Sequence, residues 1–560
     1  MEPPSPDPVR VTLDYHERSK HHPGRYAASL GYLDWSSQPD PFRTYQGAPR
    51  VELPLGAERL STGWADLFER GAVAPAPLTI AALGTLFELA LGITAWKRYQ
   101  SARWALRANP SSGNLHPTEG WALLPALEGL PAGVHHYVAR DHLLERRCTL
   151  AAADAAAVAR RLGPGGFAVL LSTIHWREAW KYGERAFRYC QHDLGHALGS
   201  FSIAAAALGW SAAPLDGLGD ERIAALLGLD RPDDSPGLDR LDREQPETAL
   251  WIAPTADRAR ARAIESAADE LVACARRGRW AGRANPLSAA HVDWPVIEQV
   301  AAATRRAPGS TVIPPEPARA APPPPARRAA GPPAGALIRQ RRSAVAFDGA
   351  TAIAAEAFFR MLDATLPRPD APPWSALPAA ARIHLALLVH RVRGLVPGLY
   401  LLERDAADHD DLLAAIRAEA LWGAVAGAPP PLRLFLLLPL DLRDSARIVS
   451  CAQEIAADGA FSLGMVASFE PVVRAAPSDY RRLFWEAGAI GQVLYLEAEA
   501  AGVRATGIGC YFDDLFHELL GLRDARFQSM YHFSVGGPVD DPRLQTEPPY
   551  ADLAERRAGA

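Results

Sequence analysis

The sequence predicts an α+β fold in two similar halves, and three observations support this prediction. The chain has 560 residues, of which 48% are hydrophobic, so it is longer than one core usually supports and two or more domains are expected. A stretch rich in proline and small residues at 306–336 shows no apolar periodicity and is typical of a linker. Strand-like and helix-like segments follow one another in the same order on both sides of it.

The first half, 1–305, shows apolar patterns of both periods. Its predicted elements are, in order, a helix-like stretch at 78–96, a hairpin at 133–147, a buried strand at 166–174 and a buried helix at 185–210 that stops at Gly209.

The second half, 337–560, repeats this order. Its predicted elements are a helix at 355–366, a strand at 382–392, strand-like segments at 398–405 and 432–440, and a long helix at 481–503. Each half then has a glycine-rich turn and a helix ending in Leu-Leu-Gly-Leu, at 226–229 and 519–522. The matching order favours a tandem repeat.

Charge and cysteine content exclude several classes of protein. The net charge of −5 provides no basic footprint for nucleic acid. The five cysteines are widely separated and form no CxxC pair, so we expect buried thiols in a reducing compartment. The N-terminus has no apolar signal segment and no apolar run is long enough to cross a bilayer, which predicts a cytoplasmic protein without membrane association.

Two polar segments are candidates for ligand binding. Residues 109–114, Asn-Pro-Ser-Ser-Gly-Asn, form a turn whose backbone N–H groups and hydroxyls suit a phosphate or a flat heterocycle, although an ordinary solvated turn has the same composition. Arg341, Arg342 and Ser343 open the second half with two guanidinium groups and a hydroxyl. They suit a phosphate, or they are a solvated patch in an arginine-rich chain.

Lys181 and Tyr182 offer an amine and a phenol that can exchange protons. Lys181 is one of only three lysines against 56 arginines among the 59 basic residues, and only lysine readily shifts its pKa. The alternative is a surface lysine paired with Glu184 at helical spacing. The corresponding segment of the second half, 479–482, lacks the lysine, so the two halves differ chemically.

His192 and His196 are four residues apart on a predicted helix, a spacing that suits either two metal ligands or two structural histidines. No third ligand is apparent nearby and the helix is otherwise apolar, so we expect structural histidines and no metal. The chain also lacks the GxSxG elbow of serine hydrolases and a GxGxxG motif after a strand.

Several segments in this order resemble one protein family. They are residues 15–20 (YHERSK), 102–120 around ANPSSG, 181–210 beginning KYGERAFRYC, 506–522 beginning TGIGCYFDDL, and 527–544. Together they resemble the SagB-type dehydrogenases of the nitroreductase superfamily, whose relatives include azoline oxidases of peptide natural-product biosynthesis. The resemblance covers nearly the whole chain outside the linker.

The resemblance implies an FMN enzyme whose flavin lies in a groove between two α+β protomers. Here two tandem nitroreductase-like domains, 1–305 and 337–560, would form that pair as an intramolecular pseudo-dimer. One site would be built from a phosphate-binding segment, a loop from the other half, a loop facing the flavin ring and a C-terminal contact: Arg341, Arg342 and Ser343; Pro110, Ser111, Ser112, Gly113 and Asn114; Pro214, Asp216 and Gly217; and Arg543.

A second site would be poorer, because the position of the Pro-Ser-Ser loop in the second half is occupied by 366–370, Leu-Pro-Arg-Pro-Asp, without hydroxyls. Its remaining cofactor contacts would be Arg18, Ser19, Lys20, Gly507 and Gly509. We therefore expect one FMN per chain, although two remain compatible with the sequence.

The resemblance also implies a reaction. Lys181 would remove a proton beside a ring nitrogen and Tyr182 would orient or relay it, while a hydride passes to flavin N5 and an azoline becomes an azole. The amine must then be neutral, which requires burial or a nearby cation such as Arg185.

The substrate would be a small molecule or a modified peptide, with NAD(P)H or O2 as redox partner, and whole chains could associate further. The alternatives are an NAD(P)H-dependent nitro or quinone reductase, which needs no protein acid or base, and a flavin-free binding scaffold in a peptide-modifying complex.

Overall fold

The structure is a computed structural model that describes residues 7–231, 237–309, 331–377, 381–430 and 432–558. Helices of the first half are α1 (Pro8–Arg18), α2 (Ile80–Ala90), α3 (Ala152–Leu162), α4 (His175–Tyr182), α5 (Ala186–Ala207), α6 (Gly219–Leu227), α7 (Arg258–Ser266), α8 (Ala268–Arg277) and α9 (Pro295–Ala303). Its strands are β1 (Tyr45–Gln46), β2 (Arg50–Glu52), β3 (Ile93–Tyr99), β4 (Ala102–Arg107), β5 (Thr118–Leu124), β6 (Gly133–Val138), β7 (Leu143–Thr149), β8 (Phe167–Thr173), β9 (Ser211–Pro214), β10 (Gln245–Ala253), β11 (Arg279–Trp280) and β12 (Arg283–Ala284).

The second half is built from the same kinds of element. Its helices are α10 (Ala334–Gln340), α11 (Ala355–Ala364), α12 (His409–Ala415), α13 (Arg443–Val449), α14 (Ile455–Asp458), α15 (Glu470–Ala475), α16 (Asp479–Ala500), α17 (Asp513–Leu520) and α18 (Leu553–Ala558). Its strands are β13 (Ile353–Ala354), β14 (Ile383–Val389), β15 (Val392–Arg393), β16 (Gly398–Glu403), β17 (Gly423–Ala424), β18 (Arg433–Leu438), β19 (Phe461–Ser468), β20 (Arg504–Ile508), β21 (Phe527–Gly536) and β22 (Gln545–Glu547).

Each half has one large antiparallel sheet, and six strands of the two sheets follow the same order, the outer strands β11 and β17 excepted. The first runs β11-β7-β6-β5-β8-β10-β9, with β2 also paired to β7, and the second runs β17-β18-β16-β14-β19-β21-β20. In both, the short strand that follows the long helix, β9 or β20, lies at the edge. The predicted hairpin, strands and long helices are confirmed, but the helix expected over 78–96 ends at Ala90 and β3 follows it.

The two long helices, α5 and α16, pack against each other between the halves. Both are buried over nearly their whole length. A Cβ on Gly195 would overlap the carbonyl of Trp485, and one on Gly488 would overlap that of His192. Glycine at these two positions therefore lets the two helix backbones contact each other directly. Any side chain there would increase the distance between the helices.

Strand β22, near the C-terminus, joins the hairpin β3–β4 of the first half in a separate three-stranded sheet. Of the predicted linker, residues 310–330 lie outside the described residues. Arg306 and Ala334, near its two ends, are buried in the fold. Within the described ranges, no helix is both long and apolar enough to cross a membrane.

Candidate functional site

The loop at 110–114 is hydrogen-bonded to the buried carboxylate of Asp193 on α5. The backbone N–H of Ser112 donates to Asp193 at 3.0 Å and 3.2 Å, and its hydroxyl donates at 3.0 Å. Gly113 lies in the left-handed region at φ +58°, and a Cβ there would be 2.6 Å from Tyr182 Oη and 3.2 Å from Lys181 Nζ. The loop conformation and its closeness to the Lys-Tyr pair therefore both favour glycine, although Asn114 adopts φ +59° in the same loop.

Asp193 and Glu178 form a buried carboxyl pair behind this loop. Burial raises the pKa of Asp193 to about 7, against the hydrogen bonds from the loop. The pKa of Glu178 is raised well above its usual value, first by burial and then by the charge of Asp193. Sequence reasoning missed both as functional residues. A carboxylate on an otherwise apolar helix was the available signal for Asp193.

Lys181 and Tyr182 end α4 beside the loop. Within the described ranges, the ammonium of Lys181 makes no hydrogen bond or ion pair, and Glu184 pairs with Arg18 instead. Burial raises the pKa of Tyr182 well above its usual value, so its phenol stays protonated. An uncommitted amine and a protonated phenol thus lie together at Gly113. Arg185, the cation expected to help neutralise the amine, is ion-paired with Asp513.

The Arg-Arg-Ser segment of the second half meets the first half at this loop. Arg341 is buried and donates from Nη2 to the carbonyl of Arg107, two residues before Asn109, at 2.9 Å. Its guanidinium also lies 5.0 Å from the ring centroid of Tyr495. The hydroxyls of Ser343 and Tyr495 are 2.9 Å apart.

Arg342, the middle residue of this segment, is bound to the first half through its guanidinium, which donates to the hydroxyl and carbonyl of Thr94. Burial and the charge of Arg341 lower the pKa of Arg342 to about 10. Lys97 lies near enough that partial burial and Arg342 lower its pKa as well. Arg342 therefore lies close enough to both Arg341 and Lys97 for the like charges to repel one another.

The end of β20 and the residues that follow it complete the candidate site. The N–H of Gly507 donates to Tyr495 Oη at 2.9 Å, and a Cβ there would overlap the hydroxyl of Tyr531. The carbonyl of Gly509 accepts hydrogen bonds from Tyr189 at 3.0 Å and Arg185 at 3.3 Å, both from the first half. We call the space between residues 110–114, 341–343 and 507–509 the first groove.

Comparison with known proteins identifies a family that part of this chain resembles. Residues 74–237 match the sequence profile described as "Nitroreductase family". This segment is a Nitroreductase family domain. It contains the 110–114 loop, Lys181, Tyr182 and Asp193, whereas the Arg-Arg-Ser segment and Gly507 lie outside the matched residues.

Two curated proteins and one crystal structure are similar to the chain. The Trifolitoxin-processing protein TfxB of Rhizobium leguminosarum bv. trifolii is 29% identical over 141 residues, 24% of this chain and 38% of that protein, so the match spans well under half of that relative. "Putative nitroreductase MJ1384" of Methanocaldococcus jannaschii is 23% identical over 157 residues, 27% of this chain and 76% of that protein.

The crystal structure is of a "putative nitroreductase" from Anabaena variabilis. It superposes with a TM-score of 0.65 at 20% identity and covers 94% of this chain and 99% of its own. The chain therefore shares the α+β fold of that structure over nearly its whole length.

The residues of the first groove fit FMN, the cofactor implied by the family resemblance. Arg341 is a buried cation that forms no ion pair within the described part of the chain, although the charge of Glu499 acts on it, and its Nε lacks a hydrogen-bond partner. Asn109 Oδ1 and His116 Nδ1, on either side of the loop, are buried without partners as well. An anionic, flat ligand with donors and acceptors would satisfy such atoms.

Residues 214–217 are not in the first groove, contrary to the sequence prediction. Asp216 lies 3.6 Å from Arg482, and the N–H of Gly217 donates to Glu265. Arg482 and Tyr495 are 13 positions apart on α16, which separates the two places by about 20 Å.

Arg258 connects 214–217 to the second half's own loop. Burial lowers the pKa of Arg258, and the charges of Asp216 and Asp370 oppose this shift. Its guanidinium donates to the carbonyl of Leu377 at 2.7 Å. We call this place the second groove. The two edge-strand turns were therefore exchanged in the sequence prediction: the loop of each half faces the edge strand of the other half, so 507–509 belongs with 110–114, and 214–217 belongs with 366–370.

The other predicted contacts lie outside both grooves. Arg543 is exposed and pairs with Asp541. Lys20 pairs with Glu17 and Asp514, and Arg18 pairs with Glu184.

Ser19 contacts Arg185 and Arg188, and Arg185 also bonds the carbonyl of Gly509. Its carbonyl accepts from Arg185 and its hydroxyl accepts from Arg188 at 2.8 Å. His192 bonds the carbonyl of Met530 and His196 lies 3.4 Å from the hydroxyl of Tyr531, so both histidines have protein partners.

Proposed function

We propose that this chain is an FMN-dependent oxidoreductase of the SagB-type dehydrogenase kind, with one FMN between its two halves. The observation that carries the proposal is the meeting of Arg341, from the second half, with the backbone just before the 110–114 loop of the first half. A buried guanidinium without a carboxylate partner is costly unless an anion neutralises it. The phosphate of FMN supplies that charge.

The two halves then act as an intramolecular pseudo-dimer. The shared strand order of the two sheets and the direct packing of α5 on α16 support this arrangement. The Anabaena variabilis structure supports it too, since one of its chains matches 94% of this one.

Each half contributes a different part of the cofactor site. Arg341, Arg342 and Ser343 bind the phosphate end with two cations and a hydroxyl. The 110–114 loop contributes backbone N–H groups and hydroxyls, and Asp193 fixes its conformation. Gly507 and Gly509 leave room for the side chains of Tyr531 and Tyr189, which pack against the backbone of the opposite wall.

FMN, when bound, supplies the two-electron acceptor for substrate oxidation. Lys181 takes the substrate proton at Nζ, because this amine is uncommitted and lies next to the loop. Tyr182 donates a hydrogen bond to the substrate, since its raised pKa keeps the phenol protonated. The buried rings of Tyr189 and Tyr531 exclude water from the inner wall.

The substrate class we favour is a peptide-derived azoline, oxidised to an azole. One similar protein is named for trifolitoxin processing, and it is 29% identical over 24% of this chain. A small molecule that contains the same kind of heterocycle is the simpler alternative substrate.

Lys181→Ala tests the proton-transfer role. We expect the variant to retain FMN but to slow anaerobic flavin bleaching by an azoline peptide by about 10²–10⁴-fold, the usual contribution of a general base. Bleaching by NADPH, followed at the same flavin absorbance, is the internal control because it requires no proton abstraction by the protein.

Equal bleaching of the variant and the wild type by the azoline would refute the role of Lys181. Bleaching by NADPH alone in both proteins would favour the nitro or quinone reductase alternative. Purified protein that neither contains nor takes up FMN would refute the proposed function as a whole.

A further inference from the structure

Two cysteines of the second half, distant in sequence, are held side by side. Cys451 follows α13 and Cys510 follows β20. The side-chain amide of Gln453 donates to the carbonyl of Cys510 at 3.0 Å, and the N–H of Phe512 donates to the carbonyl of Val449 at 2.8 Å. These bonds clamp the two segments together on both sides of the thiols.

Cys451 and Cys510 lie close enough for each thiol to shift the pKa of the other, and Tyr26 lies close enough to Cys451 for the same to hold between them. Both cysteines are partly exposed, whereas Cys148, Cys190 and Cys274 are buried. The expectation of five buried thiols is therefore wrong for this pair. Its members are accessible to small solutes, and the other three cysteines are not.

The backbone at this pair is strained. Cys451 has φ +54° and the following Ala452 has φ +58°. Two successive non-glycine residues in the left-handed region are uncommon, and they persist only where the surroundings impose them. The clamp through Gln453 supplies that constraint, and it directs the Cys451 side chain toward Cys510.

The surroundings make Cys510 the more reactive member. The thiol of Cys451 lowers the pKa of Cys510, and the charge of Arg185 lowers it further, against burial. The pKa of Cys451 is raised by the thiol of Cys510. Burial raises the pKa of Cys148 to about 12. The thiolate is the nucleophilic form, so Cys510 reacts first.

We propose that Cys451 and Cys510 form a redox-active pair that a peroxide converts to a disulfide. The sulfur of Cys510 attacks one peroxide oxygen, the O–O bond breaks, and Cys510 becomes a sulfenic acid as one water leaves. The sulfur of Cys451 then attacks that of Cys510 and a second water leaves. In total, two thiols and one hydrogen peroxide give one disulfide and two waters, and a small thiol reverses the reaction.

The pair lies at the rim of the first groove. Cys510 directly follows Gly509, whose carbonyl is bound by Tyr189 and Arg185 of the first half. A disulfide would connect this wall to the turn after α13 and restrict its movement. The redox site itself depends only on the protein side chains and does not rest on the proposed binding of FMN.

The test uses the full chain, reduced and freed of reductant, treated with increasing hydrogen peroxide and quenched with N-ethylmaleimide. We expect peptide mass spectrometry to find a cross-link between Cys451 and Cys510, lighter than the two peptides by two hydrogens and reversed by dithiothreitol. Cys274→Ala, which removes a buried thiol, is the matched control and should give the same cross-link.

Single variants separate the two roles. Cys451→Ser should leave Cys510 as a sulfenic acid that dimedone traps. In Cys510→Ser, Cys451 should be oxidised at least about tenfold more slowly than Cys510 is in Cys451→Ser. Absence of the cross-link in the folded wild type would overturn the proposal, and so would oxidation spread evenly over all five cysteines. Because the cross-link is read in the wild type, the result stands even if a serine variant fails to fold.

Discussion

The two grooves differ in how their arginines are neutralised. In the second groove, Arg368 pairs with Asp363 at 2.6 Å, and Arg482 pairs with Asp479 and Asp216. In the first groove, Arg341 is buried and bonds only a carbonyl among the described residues. Arg368 and Arg482 of the second groove thus have carboxylate partners, whereas Arg341 of the first groove has no carboxylate within ion-pair distance among the described residues, although the charge of Glu499 acts on it. On the proposed function, the first groove binds FMN and the second groove is its structural counterpart.

The largest expected effect comes from exchanging one arginine in each groove for methionine of similar volume. Arg341→Met should weaken FMN binding by about 1.5–3 kcal/mol, or about 10- to 150-fold in Kd, because a charge-assisted contact is lost. The melting temperature of the FMN-free protein should not fall, since an unneutralised buried cation is removed. Fluorescence titration and thermal unfolding measure the two quantities.

Arg368→Met should show the opposite behaviour. It leaves Asp363 without its ion pair, which costs about 3 kcal/mol of folding stability, while FMN affinity stays unchanged. Wild-type protein should bind one FMN per chain. Two FMN per chain, or loss of FMN in Arg368→Met, would contradict the comparison.

The carboxylates at matching positions of the long helices provide the next comparison. Asp193 lies two residues before Gly195, and Glu486 lies two residues before Gly488. Glu486 is ion-paired with Arg404. Asp193 forms no ion pair in the described ranges, and burial raises its pKa from 3.8 to about 7.

This difference predicts a pH dependence. Because the folded protein holds the Asp193 proton that the unfolded chain releases, stability should fall as the pH rises from about 4 to about 7. The loss between pH 5 and pH 7 should be about 2 kcal/mol. Asp193→Asn should remove this slope in urea unfolding at the two pH values. An unchanged slope would show that Asp193 is ionised throughout.

The smallest effect is expected at Arg543, a residue that the sequence assigned to the cofactor. Its exposed guanidinium pairs with Asp541, so Arg543→Ala should change FMN affinity by less than about twofold. A larger change would place the phosphate near the C-terminal segment and extend the first groove toward it.

The sequence predicted the elements of both halves because period and glycine stops are local signals, as in the helix that ends before Gly209. It also predicted that the 110–114 loop and Arg341 meet, from their likeness to family motifs. The sequence prediction placed 214–217 in the first groove and 507–509 in the second, the reverse of the structure. The edge strand that faces a given loop is set by how α5 crosses α16. No sequence spacing indicates that crossing.

The cysteine pair and the buried carboxyl pair were missed for a related reason. Cys451 and Cys510 have no motif spacing, and only the clamp through Gln453 brings them together. Asp193 and Glu178 lie on different helices, and burial rather than sequence context defines their chemistry.

Strand β22 has a consequence for how the protein is made. Lys97 on β3 bonds Thr546 on β22 across 449 positions, and Tyr550 bonds the backbone of Ile93 and Ala139. On the ribosome, the β3–β4 hairpin therefore emerges long before the strand that covers its edge. The first half can complete this sheet only after residues 545–550 have been translated, so its last folding step follows synthesis of most of the second half.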